Sequence, residues 1–474
     1  MSKSFSGDCL RERFGLEALR PWQREVVERV LAGGSALVVM PTGSGKSLCY
    51  QLPALALPGP GVTLVLSPLI ALMEDQVSAL HKRGIRAEYI NSSLARDERS
   101  RRCRSLARGE FDLVYATPER MQRDEFVRAL AEVPGGVKLL AVDEAHCITK
   151  WGHDLRPAYQ RVGEFRRELG QPPVIALTAT ATRRVREDIC ATLAREADEL
   201  RTFMAPLDRP NLTLAVESVW NDDDKLERIL ELARTQRGTG IVYFALIRDL
   251  ERMAERVRRA LPERQLEIYH GQLPAAAKKR IYDRFIRATP RDGLLLLATN
   301  AFGMGVDKAD LRFIVHAQLP GSVEAYYQEV GRAGRDGLPA RCVLLYSEDD
   351  LAVQHTFVEW MNPSAAQIRV AALAAQTDPH ADFDVEELRL AVHGKTGRGD
   401  ATIDYCLITL EKMGVIEPAG LSGRYRFVRP LADAELDESE IAAKRNRDLQ
   451  RLLEVVKMTR AEDVRQFVLA YFEA

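Results

Sequence analysis

Three groups of residues carry chemistry. Residues 35–47, SALVVMPTGSGKS, run from an apolar strand into a glycine-containing loop. In such a loop Gly43 and Gly45 let backbone N–H groups turn inward around a β-phosphate, and a following helix adds the positive end of its dipole. Lys46 would neutralise β- and γ-oxygens and Ser47 would ligate a divalent cation, which is the chemistry of a nucleoside triphosphate. The strict pattern has glycine where Met40 stands. Downstream, residues 139–146, LLAVDEAH, deliver Asp143 and Glu144 at the C-terminal end of a second apolar strand. Ligands of open α/β sheets sit at that edge. Asp143 would hold Mg²⁺ through water, and Glu144 would orient and deprotonate an attacking water. Last, residues 328–337, QEVGRAGRDG, set Arg332 and Arg335 at i, i+3, a spacing that predicts one face of a helix. An arginine reaching across from a second domain stabilises charge on a transferred phosphoryl group only when the cleft closes, which ties hydrolysis to domain motion.

Parallel strands must hold these loops, and the sequence supplies two series. The runs 36–40, 62–66, 113–116, 139–142 and 174–177 are of strand length, rich in Val, Leu and Ile, with little polar alternation. Strands buried on both faces of a parallel sheet read this way, and the helical patterns between them make βαβ units. A second series, 240–244, 266–269, 294–298, 312–316 and 343–346, repeats the pattern, and 204–220 reads as a connector. The expected fold class is α/β, with two doubly wound parallel-sheet domains followed by a small, mainly helical region. Residues 364–431 read as three helices and a hairpin, either a winged helix or a small helical dimerisation module. The expected domains are 1–205, 206–347, a winged-helix-like 348–436, and a charged amphipathic helical segment, 437–474.

Composition narrows the classes. The 474 residues are 46% hydrophobic and 28% charged. No apolar run approaches the roughly 20 residues of a membrane helix. Residues 1–13 lack the apolar core of a signal peptide. Seven scattered cysteines form no Cys-x-x-Cys pair, which argues for a reducing, cytoplasmic setting and against a disulfide framework or a zinc site. With a net charge of −1, any nucleic-acid contact must come from local patches. Arg96, Arg99, Arg101, Arg102, Arg104 and Arg108 form one cluster, open to two readings: a phosphate-contacting patch or a solvated helix face.

Together these residues resemble the RecQ family of superfamily 2 DNA helicases over about residues 10–347. Phe14, Gly15, Arg20 and Gln23 resemble the family's adenine-recognition segment, and 40–52 its phosphate loop. Segments 66–76, 117–120, 177–182, 298–308 and 327–337 resemble its further motifs. The stretch 147–157, CITKWGHDLRP, resembles the aromatic-rich loop by which the family senses single-stranded DNA. There Trp151 offers a stacking face for a base, and His153 and Arg156 offer polar and phosphate contacts. The resemblance implies RecA-like domains and ATP with Mg²⁺. It places Arg20, Gln23, Met40, Pro41, Thr42, Gly43, Ser44, Gly45, Lys46, Ser47, Gly305 and Asp307 at the nucleotide. It gives catalysis to Lys46, Asp143, Glu144, Gln328, Arg332 and Arg335, the metal to Ser47 and Asp143, and DNA to Thr117, Arg120, Trp151, His153, Arg156 and Thr299.

The chain also departs from the family pattern. Leu16 stands where a tyrosine that stacks on adenine is usual, Leu155 stands where a phenylalanine is, and the motif around Tyr243 lacks Asn-Ser-Arg. Residues 464–472, VRQFVLAYF, resemble a helix of the family's four-cysteine zinc module with Val464 in the cysteine position. No zinc is therefore expected, and the chain looks like a short form without a complete zinc module or an HRDC domain. The implied function is a 3′→5′ DNA helicase acting on single-stranded and tailed or forked duplex DNA in recombination and repair. The expected location is the cytoplasm, at the nucleoid, with no membrane partner; no protein partner is read from the sequence. Two alternatives stand beside it. One is a translocase, remodeller or RNA helicase that hydrolyses ATP without unwinding DNA. The other is an ATPase-dead DNA-binding or annealing scaffold, against which the presence of Lys46, Glu144 and the two arginines speaks.

Overall fold

The computed structural model of the protein describes residues 7–41, 43–149, 157–194, 199–303, 306, 308–376, 382–393, 401–419, 424–432 and 435–473. The first sheet holds β1 (Ser35–Val39), β2 (Val62–Leu66), β3 (Ala87–Ile90), β4 (Leu113–Ala116), β5 (Val137–Val142), β6 (Val174–Thr178) and β7 (Leu200–Met204). Their order is β3-β4-β2-β5-β6-β1-β7, and every pairing is parallel. β1, β2, β4 and β6 are buried at every residue. Alternate residues enter different cores: Leu37, Val39, Leu140 and Val142 pack on one face, and Ala36, Val38, Ala141 and Ile175 on the other. Each buried Val or Leu contributes roughly 1.5–3 kcal/mol, so helices on both faces are what the apolar runs require.

The second sheet holds β8 (Leu212–Ser218), β9 (Thr239–Phe244), β10 (Leu266–Tyr269), β11 (Leu295–Thr299), β12 (Leu311–His316) and β13 (Ala340–Tyr346). Its order is β10-β11-β9-β12-β13-β8, again parallel. Here the structure corrects the reading of 204–220 as a connector, because β8 occupies Leu212–Ser218 and pairs with β13 along its whole length. It is an edge strand, only partly covered, so it carries no continuous apolar run.

The chain then builds a smaller unit. Helices Ala365–Gln376, Val385–His393 and Thr402–Lys412 surround Ile368, Leu388, Cys406 and Leu410. Strands β14 (Phe383–Asp384), β15 (Ile416–Pro418) and β16 (Arg424–Phe427) form an antiparallel sheet in the order β14-β16-β15. Helix Glu438–Thr459, whose first turn is capped by Asp437 Oδ1, brings the chain back to the second domain. Leu452, Val455 and Met458 from it, and Val464, Val468 and Phe472 from helix Val464–Glu473, belong to that domain's core. From Leu449 onward these two helices thus pack on the second α/β body, while Ile441 near the start of the first packs on the smaller unit. Among the described residues no helix is long and apolar enough to cross a membrane.

Candidate nucleotide-binding cleft

Strand register brings the candidate residues to one edge. Val39 stands opposite Thr178 and Met204, and Val142 opposite Leu66 and Ala176, so the loops after β1, β5 and β6 open side by side. The Met40 N–H donates to Thr178 O at 2.9 Å, which continues β1 for one residue; a fully buried Met replaces the motif's glycine there. Ser44 closes the turn with its N–H and Oγ on Pro41 O, at 3.3 and 2.6 Å. Gly43 and Gly45 have φ of 76° and 85°, a region that costs other residues roughly 1–2 kcal/mol. Ser47 precedes helix Leu48–Ala56. Arg20 and Gln23, read as holding the base, lie against the loop backbone: Arg20 Nη1 donates to Ser44 O at 3.3 Å, and Gln23 Nε2 to Gly45 O at 3.3 Å. Thr42 falls outside the described residues.

The Lys46 ammonium is buried without a hydrogen-bond partner among the described residues. Burial, then the neighbouring Glu144 charge, pushes the Asp143 carboxyl up to about 6, against the pull of Lys46. Glu144 sits in the left-handed region, φ 48° and ψ 47°, strain of the kind that clusters at working sites. Its N–H donates to Asp143 Oδ1 at 3.0 Å. Tyr159 Oη donates to Asp143 O at 3.0 Å and fixes the start of this turn. His146 links the acid pair to the loop after β6: its Nδ1 lies 3.0 Å from Thr178 Oγ1 and 3.4 Å from Glu144 Oε2. Thr178 Oγ1 gives its single proton to Thr180 O at 2.9 Å, so Nδ1 carries the proton in the histidine bond. Sequence reasoning spelled out His146 within LLAVDEAH but assigned it no role.

The second domain supplies the facing wall, with one correction. Helix Val323–Val330 ends before Arg332, so Arg332 and Arg335 do not share a helix face. They lie in the turn that follows, which Gly334 reverses at φ 56°. Arg335 Nη1 donates to Val306 O at 3.1 Å, and its side chain crosses to the first domain, against Gly43. Arg332 is 4% exposed and lies beside Tyr243 and Gly303. Gln328 is half-buried on the helix before the turn. Gly305 and Asp307 fall outside the described residues.

The candidate DNA contacts are less gathered. Trp151, His153 and Arg156 fall outside the described residues. Thr117 precedes the short turn Pro118–Gln122, and Thr299 ends β11; both are buried. Arg120 is 8% exposed, and burial, followed by the Arg99 charge, holds its guanidinium below the usual range. In the arginine cluster, Arg101 and Arg102 pair with Glu98, Arg102 also with Glu88, and Arg108 with Glu110. These partners favour the solvated-face reading of helix Arg96–Ala107.

A buried ammonium lacking an acceptor is costly, and a polyphosphate in the loop supplies acceptors. Among the described residues no group of three or more His, Cys, Asp or Glu is arranged to hold a metal ion. Ser47 and Asp143 are the residues that could hold a divalent cation brought in with a bound triphosphate.

Comparison with known proteins identifies the family. Residues 20–189 match the DEAD/DEAH box helicase model, and 224–337 the helicase conserved C-terminal domain model. The chain is 44% identical over 352 residues to "ATP-dependent DNA helicase RecQ" of Bacillus subtilis (strain 168), covering 74% of this chain and 57% of that protein. It is 34% identical over 467 residues to "Probable ATP-dependent DNA helicase RecS" of the same organism, covering 98% of this chain and 88% of the relative. The chain thus spans little more than half the length of the first of these relatives. Among solved structures, the DUF1998 helicase MrfA bound to DNA superposes with a TM-score of 0.60 at 19% identity, over 89% of this chain and 62% of that one. Saccharomyces cerevisiae Dbp5 bound to RNA and ADP BeF3 gives 0.58 at 16% identity, over 75% of this chain and 92% of that one. These two likenesses speak to the RecA-like fold. Two parallel-sheet α/β bodies, the loops they bring together and the extent of the sequence match lead to one conclusion: the chain belongs to the RecQ family of DNA helicases.

Proposed function

We propose that this chain is an ATP-dependent DNA helicase that moves 3′→5′ on single-stranded DNA and separates duplexes, in recombination and repair, at the nucleoid in the cytoplasm. The observation that carries the reading is the approach of Arg335, from the second domain, to Gly43 in the phosphate loop of the first. In this reading Gly43, Ser44 and Gly45 cradle the β-phosphate, Lys46 neutralises the γ-phosphate, and Glu144 orients the attacking water and takes its proton. Arg335 and Arg332 meet the charge that develops on the transferred phosphoryl group, and Gln328 stands on the helix that positions them. Arg20 and Gln23 hold the loop and reach the base. Mg²⁺ bound with the triphosphate, held by Ser47 and Asp143, would supply further charge neutralisation. Trp151, His153, Arg156, Thr117, Arg120 and Thr299 are the proposed DNA contacts, and the unit with β14–β16 acts as a winged-helix-like module. The names of the Bacillus subtilis relatives support DNA as the track. Strand separation on 3′-tailed and 5′-tailed duplexes tests the reading. Unwinding of the 3′-tailed substrate alone is expected; hydrolysis stimulated by DNA with no unwinding of either would replace the helicase with a translocase.

A further inference from the structure

Helix Val464–Glu473 is anchored on the second domain and touches the first. Its Arg465 Nη1 donates to Arg209 O at 2.9 Å, and its Val464, Val468 and Phe472 enter the domain core. Two of its aromatic side chains hold helix Val323–Val330, the helix that leads into Arg332 and Arg335. The Phe472 ring lies 5.1 Å from that of Tyr327, and Tyr471 Oη donates to Glu324 Oε1 at 2.8 Å. From the first domain, Arg186 donates through one nitrogen to two carbonyls: Ala181 O at 2.9 Å in its own domain and Phe472 O at 3.1 Å on the terminal helix. Ala181 adjoins Thr180, whose carbonyl receives the Thr178 hydroxyl that meets His146.

The contact stands at the rim of an open space. A cleft of about 440 Å³, lined by Thr182, Asp188, Glu454 and Tyr471 among others, separates helix Arg183–Leu193 from helix Glu438–Thr459. Arg186 thus joins the two bodies beside this space, from the helix that forms one of its walls. The bond to Ala181 stays within the first domain, whereas the one to Phe472 depends on the spacing of the two domains and breaks if they move apart.

We propose that Arg186 and helix Val464–Glu473 form a positioning bridge. It sets helix Val323–Val330, and with it the two arginines, against the first domain when the cleft closes. The bridge rests on the reading of the cleft as an ATP-hydrolysing site driven by DNA. Arg186 and the terminal helix act through Ala181 on one side and through Tyr327 and Glu324 on the other.

Steady-state hydrolysis with and without single-stranded DNA, with thermal melting of each variant, tests it on the full chain. Arg186→Ala is expected to lower the DNA-stimulated kcat by roughly two- to thirtyfold, the range of coupling carried by such contacts. The KM for ATP, the basal rate and the melting temperature should not move. Arg186→Lys should recover most of the loss, because an ammonium can donate to both carbonyls. Tyr471→Phe should give a smaller loss, and the double variant should be no worse than Arg186→Ala alone, as for two parts of one bridge. Losses that multiply in the double variant, or an Arg186→Ala defect confined to KM or melting temperature, would overturn the bridge. A wild-type chain without DNA-stimulated hydrolysis would overturn the functional reading itself, which separates the two failures.

Discussion

A Cβ built on Gly43 would lie 2.6 Å from Arg335 Cδ, so the glycine of one domain leaves the space that the arginine of the other occupies. Any side chain at 43 would collide with Arg335 and also strain a backbone held at φ 76°. The guanidinium then reaches the phosphate loop only when the two sheets face each other at this distance. Arg335→Ala is expected to reduce kcat for ATP by roughly a thousandfold, the scale on which transition-state arginines act. Binding of a fluorescent ATP analogue should persist. A kcat close to wild type would remove Arg335 from the transition state.

Glu144 occupies a left-handed conformation beside Asp143, with His146 Nδ1 3.4 Å from its carboxylate. If it takes the proton of the attacking water, Glu144→Gln keeps the shape and loses the base. The expected fall in kcat is roughly a hundred- to ten-thousandfold with nucleotide binding intact. Single-turnover hydrolysis in a rapid-quench instrument reads the chemical step directly; unchanged chemistry would give the base to another group.

Lys225 and Asp350 form a buried ion pair inside the second domain, with Nζ 2.7 and 2.9 Å from the two carboxylate oxygens. The pair joins helix Asp222–Thr235 to helix Glu348–Met361. Lys225→Met strands a buried carboxylate and should cost roughly 3–5 kcal/mol in denaturant unfolding. Adding Asp350→Leu removes the stranded charge and should return much of that loss. A double variant as unstable as the single one would show that packing, and not charge, sets the cost.

The pH dependence of stability has a defined sign at Glu217. The Arg228 guanidinium beside it, with Nη2 2.7 Å from Oε1, holds its carboxyl below the usual range, and Arg341 adds to the effect. Unfolding releases the carboxyl to its ordinary value of roughly 4.3. The contribution is therefore full above that value and is lost as pH falls through the lower, folded one. Melting temperatures from neutral to acid pH should decline less steeply for Glu217→Gln than for wild type. Parallel curves would mean that other carboxylates govern acid unfolding.

Much of the fold is written locally. β2 and β4 coincide with the apolar runs 62–66 and 113–116, because interior parallel strands must be apolar on both faces. β3 escapes that signal: it is an edge strand, and Glu88 and Tyr89 are only partly covered. β8 escapes it for the same reason, which is why 204–220 resembles a linker. Arg332 and Arg335 keep a helical spacing in the sequence, but the helix ends at Val330 and Gly334 reverses the turn that follows. At the site, the phosphate loop and the acid pair are legible because each lies within one short segment. The bonds of His146 to Thr178 and of Arg186 to Phe472 span 32 and 286 residues. Contacts of that separation depend on how the sheets and the terminal helix pack, and no spacing rule announces them.

The central claim, that the cleft between the two domains hydrolyses ATP under the control of DNA, meets its most direct test in one assay. ATP hydrolysis by the wild-type chain and by Lys46→Ala is measured with Mg²⁺, with and without single-stranded DNA. Strong stimulation of the wild type by DNA is expected, with hydrolysis abolished in Lys46→Ala while its DNA binding stays nearly intact. Wild-type-like turnover in Lys46→Ala, or a wild-type rate indifferent to DNA, would contradict it.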